Sequence, residues 1–323
     1  MTRAESRTLK IEEARAIAMR IDELLRVRSV ELLGDGVKSE VWRVSCDDDR
    51  EFAVKSYKPG HPRAIGQEIA FYAAAGERPE LPIPRLLAAD TSEGWTALSI
   101  LSGRPLTEVG DAGPGIYEQL GEFLRSLHSS TMPSFGDLSV DAPPQFASNA
   151  ELMADKFAWA LARYEELGGS PCLAKACAAH VERHRAEFAR CEQAVLVHAD
   201  CHPANLLVEP GPRLSGVVDF ESALAGDPLM DLAEAYHASF SRDEATLNAL
   251  TRGYGELPGG WRARFDLYVM YFSLELWIWF VKGGSPPPHR GIERRIAKLA
   301  KVPRLRLWVD HLGSRLHVRR PND

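Results

Sequence analysis

Val195-Leu196-Val197-His198-Ala199-Asp200-Cys201-His202-Pro203-Ala204-Asn205 runs into Leu206-Leu207-Val208, the turn Glu209-Pro210-Gly211-Pro212-Arg213, and a third apolar run, Leu214 to Val218, that ends on Asp219. Short apolar runs either side of such a turn predict a β-hairpin. Folding the chain about Gly211 and Pro212 sets position 205 opposite 218 or 219, so Asn205 and Asp219 emerge side by side at the open end. An amide oxygen and a carboxylate are hard ligands, and so small a set suits Mg²⁺ held mainly by phosphates and water. Asp200, on the loop before Asn205, reaches the same place with a carboxylate that can accept a proton or orient a hydroxyl. Singly these are ordinary turn and cap residues. Converging, they meet the needs of phosphoryl transfer: neutralised charge and an aligned attacking oxygen.

The hundred residues before Gly103-Arg104-Pro105 predict a mixed α and β lobe. Ile11, Ala14, Ile17, Ile21, Leu24 and Leu25 fall at helical spacing over 9 to 27. Strand-like runs follow at Val30 to Leu33, Val41 to Val44 and Glu51 to Tyr57, separated by Gly34-Asp35-Gly36 and Asp47-Asp48-Asp49. A helix over 63 to 76 and a strand pair ending near Trp95 to Leu101 complete the lobe. Beyond it the pattern turns helical, with Leu120, Phe123, Leu124 and Leu127 on one face of a helix from Ile116 to His128. A Pro- and Ser-rich loop at 133 to 148 precedes helices at 149 to 167 and 173 to 192; after the hairpin come helices at 228 to 255 and 261 to 282. Ser285-Pro286-Pro287-Pro288 reads as a stiff connector to a last basic helix. The expected class is α+β in two lobes, residues 1 to 101 and 102 to 323, the first a small antiparallel sheet and the second mainly helical.

Four stretches carry a resemblance: His198-x-Asp200-x-x-x-x-Asn205, the internal His202-Pro203-Ala204-Asn205, Val217-Val218-Asp219-Phe220-Glu221, and Gly226-Asp227-Pro228-x-x-Asp231-Leu232-Ala233. Together they resemble the aminoglycoside-phosphotransferase and choline-kinase branch of the protein-kinase-like fold. The resemblance implies that bilobal fold, with Asp200 and His198 catalytic and with Asn205 and Asp219 on Mg²⁺. It also implies nucleotide-binding parts in the first lobe. Gly34-Asp35-Gly36-Val37-Lys38-Ser39-Glu40-Val41 meets the Gly-x-Gly-x-x-Gly-x-Val pattern with serine at the third glycine, although an Asp-Gly pair between strands equally suits a plain hairpin turn. By the resemblance, Gly34, Gly36 and Ser39 cover the phosphates of ATP or GTP, and Val41 and Ala53 enclose the base. Lys55 grips the α and β phosphates, Glu68 pairs with Lys55, and Ala97 to Gly103, including Ser99 and Leu101, forms the hinge. Ala199 stands where eukaryotic protein kinases carry the arginine of His-Arg-Asp, Glu221 stands for the glycine of Asp-Phe-Gly, and no Ala-Pro-Glu segment follows. A protein acceptor is therefore not expected, and the helices at about 149 to 192 correspond to the family's substrate wall.

Composition sets outer bounds. At 323 residues, 45% hydrophobic and 26% charged, the chain can build about two lobes around a sizeable core. Arg3, Glu5, Arg7, Lys10, Glu12 and Glu13 occupy positions where a secretory signal needs apolar residues, and Asp266 and Glu275 interrupt the most apolar stretch, Phe265 to Val281. A cytoplasmic protein without membrane or nucleic-acid partners, monomeric or homodimeric, is the expectation. Cys46, Cys172, Cys177, Cys191 and Cys201 lack the paired spacing of a zinc site, and Cys201 reads as a small buried hydrophobe. The net charge of -6 is uneven: residues 285 to 323 hold ten Lys or Arg against three Asp or Glu, a net of +7, leaving 29 against 42, a net of -13, in residues 1 to 284. An acidic body attracts cations, whereas the basic end is the opposite of what a polycationic aminoglycoside needs.

Candidate substrate contacts are Asp155, Glu221, Glu234, Asp266 and Glu275, with Trp159, Tyr236, Trp277 and Trp279 as stacking surfaces. Trp277, Trp279 and Phe280 also read as core. The leading expectation is an O-phosphotransferase, using ATP or GTP, that modifies a hydroxyl of an antibiotic of aminoglycoside, nucleoside or peptide type and so confers resistance. The alternatives are a kinase for a sugar, amino alcohol or hydroxy amino acid, and a nucleotide-binding pseudokinase. Lys55, Asp200, Asn205 and Asp219 are all present, which disfavours the last.

Overall fold

Trp42, Val44, Phe52 and Val54 are buried while their odd-numbered neighbours face the other way, and this period of two makes strands of residues 39 to 57. The structure, a computed structural model, describes residues 9–76, 78–139, 145–283 and 289–302. Its first lobe comprises α1 (Ile11–Ile21), β1 (Val27–Asp35), β2 (Ser39–Cys46), β3 (Glu51–Tyr57), α2 (Pro62–Ala75), β4 (Leu86–Asp90) and β5 (Trp95–Ser99). The strands form one antiparallel sheet in the order β1-β2-β3-β5-β4. Ala14, Ile17 and Ala18 of α1 cover one face, in a core with Trp42, Val44, Phe52, Val54, Trp95 and Ala97. On the other face Val41 pairs directly with Lys55, and Ala53 with Leu98. Helix α1 stops at Ile21, short of the expected residue 27, because Asp22 is extended; Leu24, read as part of its apolar stripe, is exposed.

The second lobe begins with β6 (Arg104–Pro105), α3 (Leu106–Val109), α4 (Pro114–Leu127), β7 (Thr131–Met132), β8 (Phe135–Asp137) and β9 (Gln145–Phe146). It continues through α5 (Asn149–Glu166), α6 (Pro171–Arg183), α7 (Arg185–Ala189), β10 (Ala194–Val197), a 3-10 turn (Pro203–Asn205), β11 (Leu206–Glu209), β12 (Arg213–Val217) and β13 (Leu224–Gly226). Helices α8 (Leu229–Ala238), α9 (Glu244–Tyr254), α10 (Trp261–Lys282) and α11 (His289–Leu299) complete it. Two small sheets, in the orders β7-β10-β13-β8-β9 and β12-β11-β6, carry the loop and hairpin between these helices. The helix expected over 173 to 192 breaks at His184, and that expected over 228 to 255 is two, since Ser239 is extended and the Asp243 carboxylate caps a new start by accepting from the Thr246 N–H. The stretch expected to be loop at 133 to 148 holds β8 and β9. The connector at 285 to 288 lies outside the described residues, as does everything after 302.

Helix α10 buries Phe265, Tyr268, Met270, Tyr271, Leu274 and Trp277 in the main core, whereas Trp279, read as core, is 56% exposed. No described helix is long and apolar enough to cross a membrane. Helices α4 and α9 approach so closely that a Cβ on Gly253 would lie 1.8 Å from the Glu118 carbonyl oxygen, and one on Gly121 2.2 Å from that of Leu250. Two glycines thus set the gap between these helices, and they bring His128, just past α4, to Tyr254 at the end of α9.

Candidate active site

The hairpin register is Leu206 opposite Val217, and the Val218 N–H donates to the Asn205 carbonyl at 3.0 Å, which sets position 205 against 218 as expected. The Asn205 side-chain amide donates to the Asp200 carbonyl at 3.0 Å, tying the loop to the hairpin and leaving its Oδ1 free to accept. Asp219, the next residue along, holds a left-handed φ of 71°, and Ala199 one of 57°. Non-glycine residues in that region cost about 1–2 kcal/mol and persist only where surroundings enforce them.

The enforcement is visible beneath Ala199. Asp231 on α8, fully buried, accepts from the backbone N–H groups of His198 and Ala199, both at 2.8 Å, and faces His128 Nε2 at 3.0 Å. His128 Nδ1 in turn meets the Tyr254 hydroxyl at 3.1 Å. One helix turn earlier, buried Asp227 pairs with Arg264 at 2.6 Å and accepts from Tyr268 at 2.9 Å and from the Leu229 N–H. Glu234 extends the clasp, accepting from the Cys201 N–H at 3.0 Å. Expected as a substrate contact, Glu234 is engaged here by a backbone donor of the loop, with Asp200 and Asp231 among its neighbours. Burial, with Asp200 close by, keeps its carboxyl well above the usual range. His198, expected as catalytic, is fully buried with both ring nitrogens on backbone, accepting from the Asp200 N–H at 3.1 Å and donating to the Val218 carbonyl at 3.1 Å, so it joins loop to hairpin. Cys201 is buried, as expected.

Across the cleft Lys55 lies among three carboxylates: Asp219 at 2.6 Å, Glu221 at 2.9 Å and Glu68 at 3.2 Å. Burial works against its charge, but the three acids outweigh burial and hold the lysine pKa above its ordinary value. Glu68, fully buried and also bonded by the Tyr57 hydroxyl, is pushed up to about 6 by burial, with Lys55 opposing. Asp219 is lowered, Lys55 prevailing over burial. Glu221, expected as a substrate carboxylate, spends its oxygens on Lys55, on Lys38 at 3.3 Å and on the Ser39 hydroxyl at 3.3 Å. Asp200 is partly exposed and within 3.3 Å of His202 Nε2; burial raises its pKa, the two histidines oppose, and Asp219 adds to the rise.

Helix α2 presents Glu68 to Lys55 and, three residues on, Phe71, which stacks on Phe220 at 3.8 Å; Phe220 in turn lies 4.6 Å from the His198 ring. The residue after Asp219 is thereby wedged between the helix and the catalytic loop. In the loop before β2, the Gly36 N–H donates to the Ser39 carbonyl at 2.9 Å, and neither Gly34 nor Gly36 has a positive φ. A Cβ on Gly34 would meet nothing within 4 Å, so neither packing nor backbone conformation requires glycine there. Val41 and Ala53 share the sheet face of Lys55. At the expected hinge the Ser99 hydroxyl accepts from the Arg85 N–H at 2.8 Å, and the Leu101 side chain packs over Gly216.

Asn205 Oδ1 and the Asp219 carboxylate supply two hard oxygens, which fits Mg²⁺ completed by phosphate and water. Among the described residues no group of three or more His, Cys, Asp or Glu is gathered to hold a metal unaided. Beside Ala199 opens a cavity of about 580 Å³ reaching Lys38, Arg63, Lys156, Glu221, Tyr271 and Glu275. A second, of about 220 Å³, adds Asp155 and Trp159. Asp155, Trp159 and Glu275 therefore line the space expected of them. Lys156, which sequence reasoning missed, stands beside Asp155 on α5, and a cation in the expected substrate wall was the available signal.

The model of the phosphotransferase enzyme family, APH, matches residues 29–265. Among curated proteins no sequence relative matches. Several solved structures are similar. A candidate fructosamine-3-kinase from Thermobifida fusca YX-ER1 has 20% identity and a TM-score of 0.68 over 89% of this chain and 98% of that one. A thermostable mutant of aminoglycoside phosphotransferase APH(4)-Ia, in ternary complex with AMP-PNP and hygromycin B, has 16% identity and a TM-score of 0.64 over 88% and 97%. Macrolide 2'-phosphotransferase MphH from Brachybacterium faecium has 19% identity and a TM-score of 0.59 over 90% and 99%. At these identities the likeness shows a shared fold, the bilobal protein-kinase-like one.

Proposed function

Because the chain belongs to the phosphotransferase enzyme family, we propose that it transfers the γ-phosphoryl group of ATP or GTP to a hydroxyl of a small molecule, with Asp200 as the base. One observation carries the reading: Lys55 of the first lobe and Asp219 of the hairpin meet at 2.6 Å, beside Asn205 and Asp200, so every charge the reaction needs lies in one place. The acceptor oxygen attacks the γ-phosphorus, the bond to the bridging oxygen breaks, the nucleoside diphosphate leaves, and the hydroxyl proton passes to the Asp200 carboxylate. Asn205 and Asp219 would hold Mg²⁺, which would supply neutralisation of the phosphate charge. Lys55 turns from its carboxylates toward the α and β phosphates, with Glu68 fixing its position. Val41 and Ala53 flank the base, Gly34, Gly36 and Ser39 cover the phosphates, and Ser99 and Leu101 belong to the hinge. In this reading the nucleotide-binding lobe ends near residue 101. Nucleotides bound in relatives of the same fold support the donor class.

The test is nucleotide consumption by the purified protein against a mixed panel of antibiotics, sugars, hydroxy acids and amino alcohols. Asp200→Ala should lower turnover by on the order of 10³-fold and leave nucleotide binding in place. Wild-type activity should fall on acidification with a midpoint above the usual aspartate range, since burial raises the pKa and only the ionised carboxylate accepts a proton. Near-normal turnover by the Asp200 variant would sink the mechanism.

A further inference from the structure

The two cavities share Arg63, Asp137, Lys156, Leu224, Tyr271 and Glu275 and form one cleft between the start of α2, strand β8 and helices α5 and α10. Its floor reaches Ala199, next to the proposed base. The charges facing it are not those of a cage for a polycation. Asp137 is paired with Arg63, Glu221 with Lys38 and Lys55, and Glu275 accepts from the Tyr271 hydroxyl at 2.6 Å. Asp155 stands exposed at the rim. His61 also lines the cleft, and the cations Lys38 and Arg63 have the carboxylate partners just named. Lys156 differs: half-buried, it forms no ion pair among the described residues, and its ammonium lies 5.6 Å over the ring of buried Tyr271. Its nearby carboxylate, Glu275, is itself raised above the usual range by burial, with Lys156 pulling the other way. A half-buried ammonium with Glu275 nearby but no carboxylate at ion-pair distance among the described residues is the cation of the cleft left to receive an anion.

Resting on the phosphotransferase reading, we propose that the acceptor is a small hydroxylated molecule bearing a carboxylate, which Lys156 receives while the hydroxyl points along the cleft to Asp200. Glu275 and the Tyr271 hydroxyl bind its polar remainder, and the rings of Tyr271 and Trp159 flank it. Within the acidic body Lys156 gives this cleft one cation that no ion pair occupies among the described residues. A neutral sugar finds nothing for Lys156 to bind, and a polycationic aminoglycoside meets it as a like charge.

The experiment uses acceptors matched except for the carboxylate: D-glycerate against glycerol, L-serine against ethanolamine, D-gluconate against D-glucose, with kanamycin as the polycation. Turnover is read by nucleotide consumption, and binding of the carboxylates by calorimetry. Carboxylated members should show kcat/KM at least about tenfold above their partners. Lys156→Met, which keeps the apolar stem, should raise their KM or Kd at least tenfold with the nucleotide KM unmoved, and Lys156→Arg should retain the preference. Turnover of glycerol, ethanolamine, glucose or kanamycin equal to or above that of the acids overturns the carboxylate proposal and leaves the reaction standing. Carboxylate binding or turnover insensitive to Lys156→Met also overturns it. Calorimetric binding that depends on Lys156, without Asp200-dependent nucleotide consumption for any acceptor, supports the ligand class and counts against the reaction instead.

Discussion

Two buried polar clusters flank the catalytic loop, and they are built on opposite plans. Below it, Asp231 points its oxygens at two backbone N–H groups and a histidine, with Tyr254 behind, so every partner is fixed by helix or loop geometry. Above it, Lys55 has three carboxylates and can be fully paired by fewer. A clasp whose members each have one arrangement is rigid; a cage with surplus acid can exchange partners when phosphates arrive. In the proposed reaction the cage is where charge is bound and released, and the clasp keeps Asp200 still meanwhile.

Removing Asp231 should have the largest effect. Asp231→Ala orphans three buried donors and should cost about 3–5 kcal/mol of stability, read as a drop in the urea midpoint, with activity lost alongside. A cost below about 1 kcal/mol would make the clasp ornamental and erase the contrast. Lys55→Met should show the reverse pattern: turnover down by on the order of 10²-fold or more, with stability changed by less than in the Asp231 variant. Losing its cation should send the Glu68 pKa, already about 6, higher still, so folding of this variant should take up a proton near neutral pH and its stability should fall as pH rises through that range. Calorimetry in buffers of different ionisation heat measures the proton. Smallest is Gly253→Ala, whose methyl drives into the Glu118 carbonyl. About 1–3 kcal/mol should be lost to overpacking, and turnover should fall by less than in either other variant. An unchanged melting temperature would show that α4 and α9 can spread without cost.

The cage was half legible in the sequence and the clasp scarcely at all. A hairpin's register is counted from its turn, so Asn205 could be set beside Asp219 before any coordinates, and a period of two placed Ala53 and Lys55 on one face. Glu221 defied such counting because its partners, Lys38 and Ser39, lie 183 and 182 residues away and are met only when the lobes close on each other. The clasp joins residues 33 and 103 apart. Asp231 stood in a quoted motif, but nothing local says that its carboxylate turns inward, and His128 read as the end of an amphipathic helix. Helix ends failed for a different reason: the break after α8 carries a local signal, extended Ser239 followed by the Asp243 cap, which an apolar period alone does not weigh.

Helix α2 touches both substrates' quarters. Glu68 holds Lys55, while Gln67 accepts from the backbone N–H groups of Leu138 and Ser139, and Arg63 pairs with Asp137 in the wall of the cleft. Arg63, Gln67 and Glu68 lie within two turns of this one helix, which in the proposed reaction links the nucleotide site to the acceptor site. Whatever factor the nucleotide contributes to acceptor affinity, the acceptor must return to the nucleotide. An inhibitor that lodges in the cleft and displaces Arg63 would therefore change the hold on a nucleotide it never touches, by the factor the nucleotide returns to it.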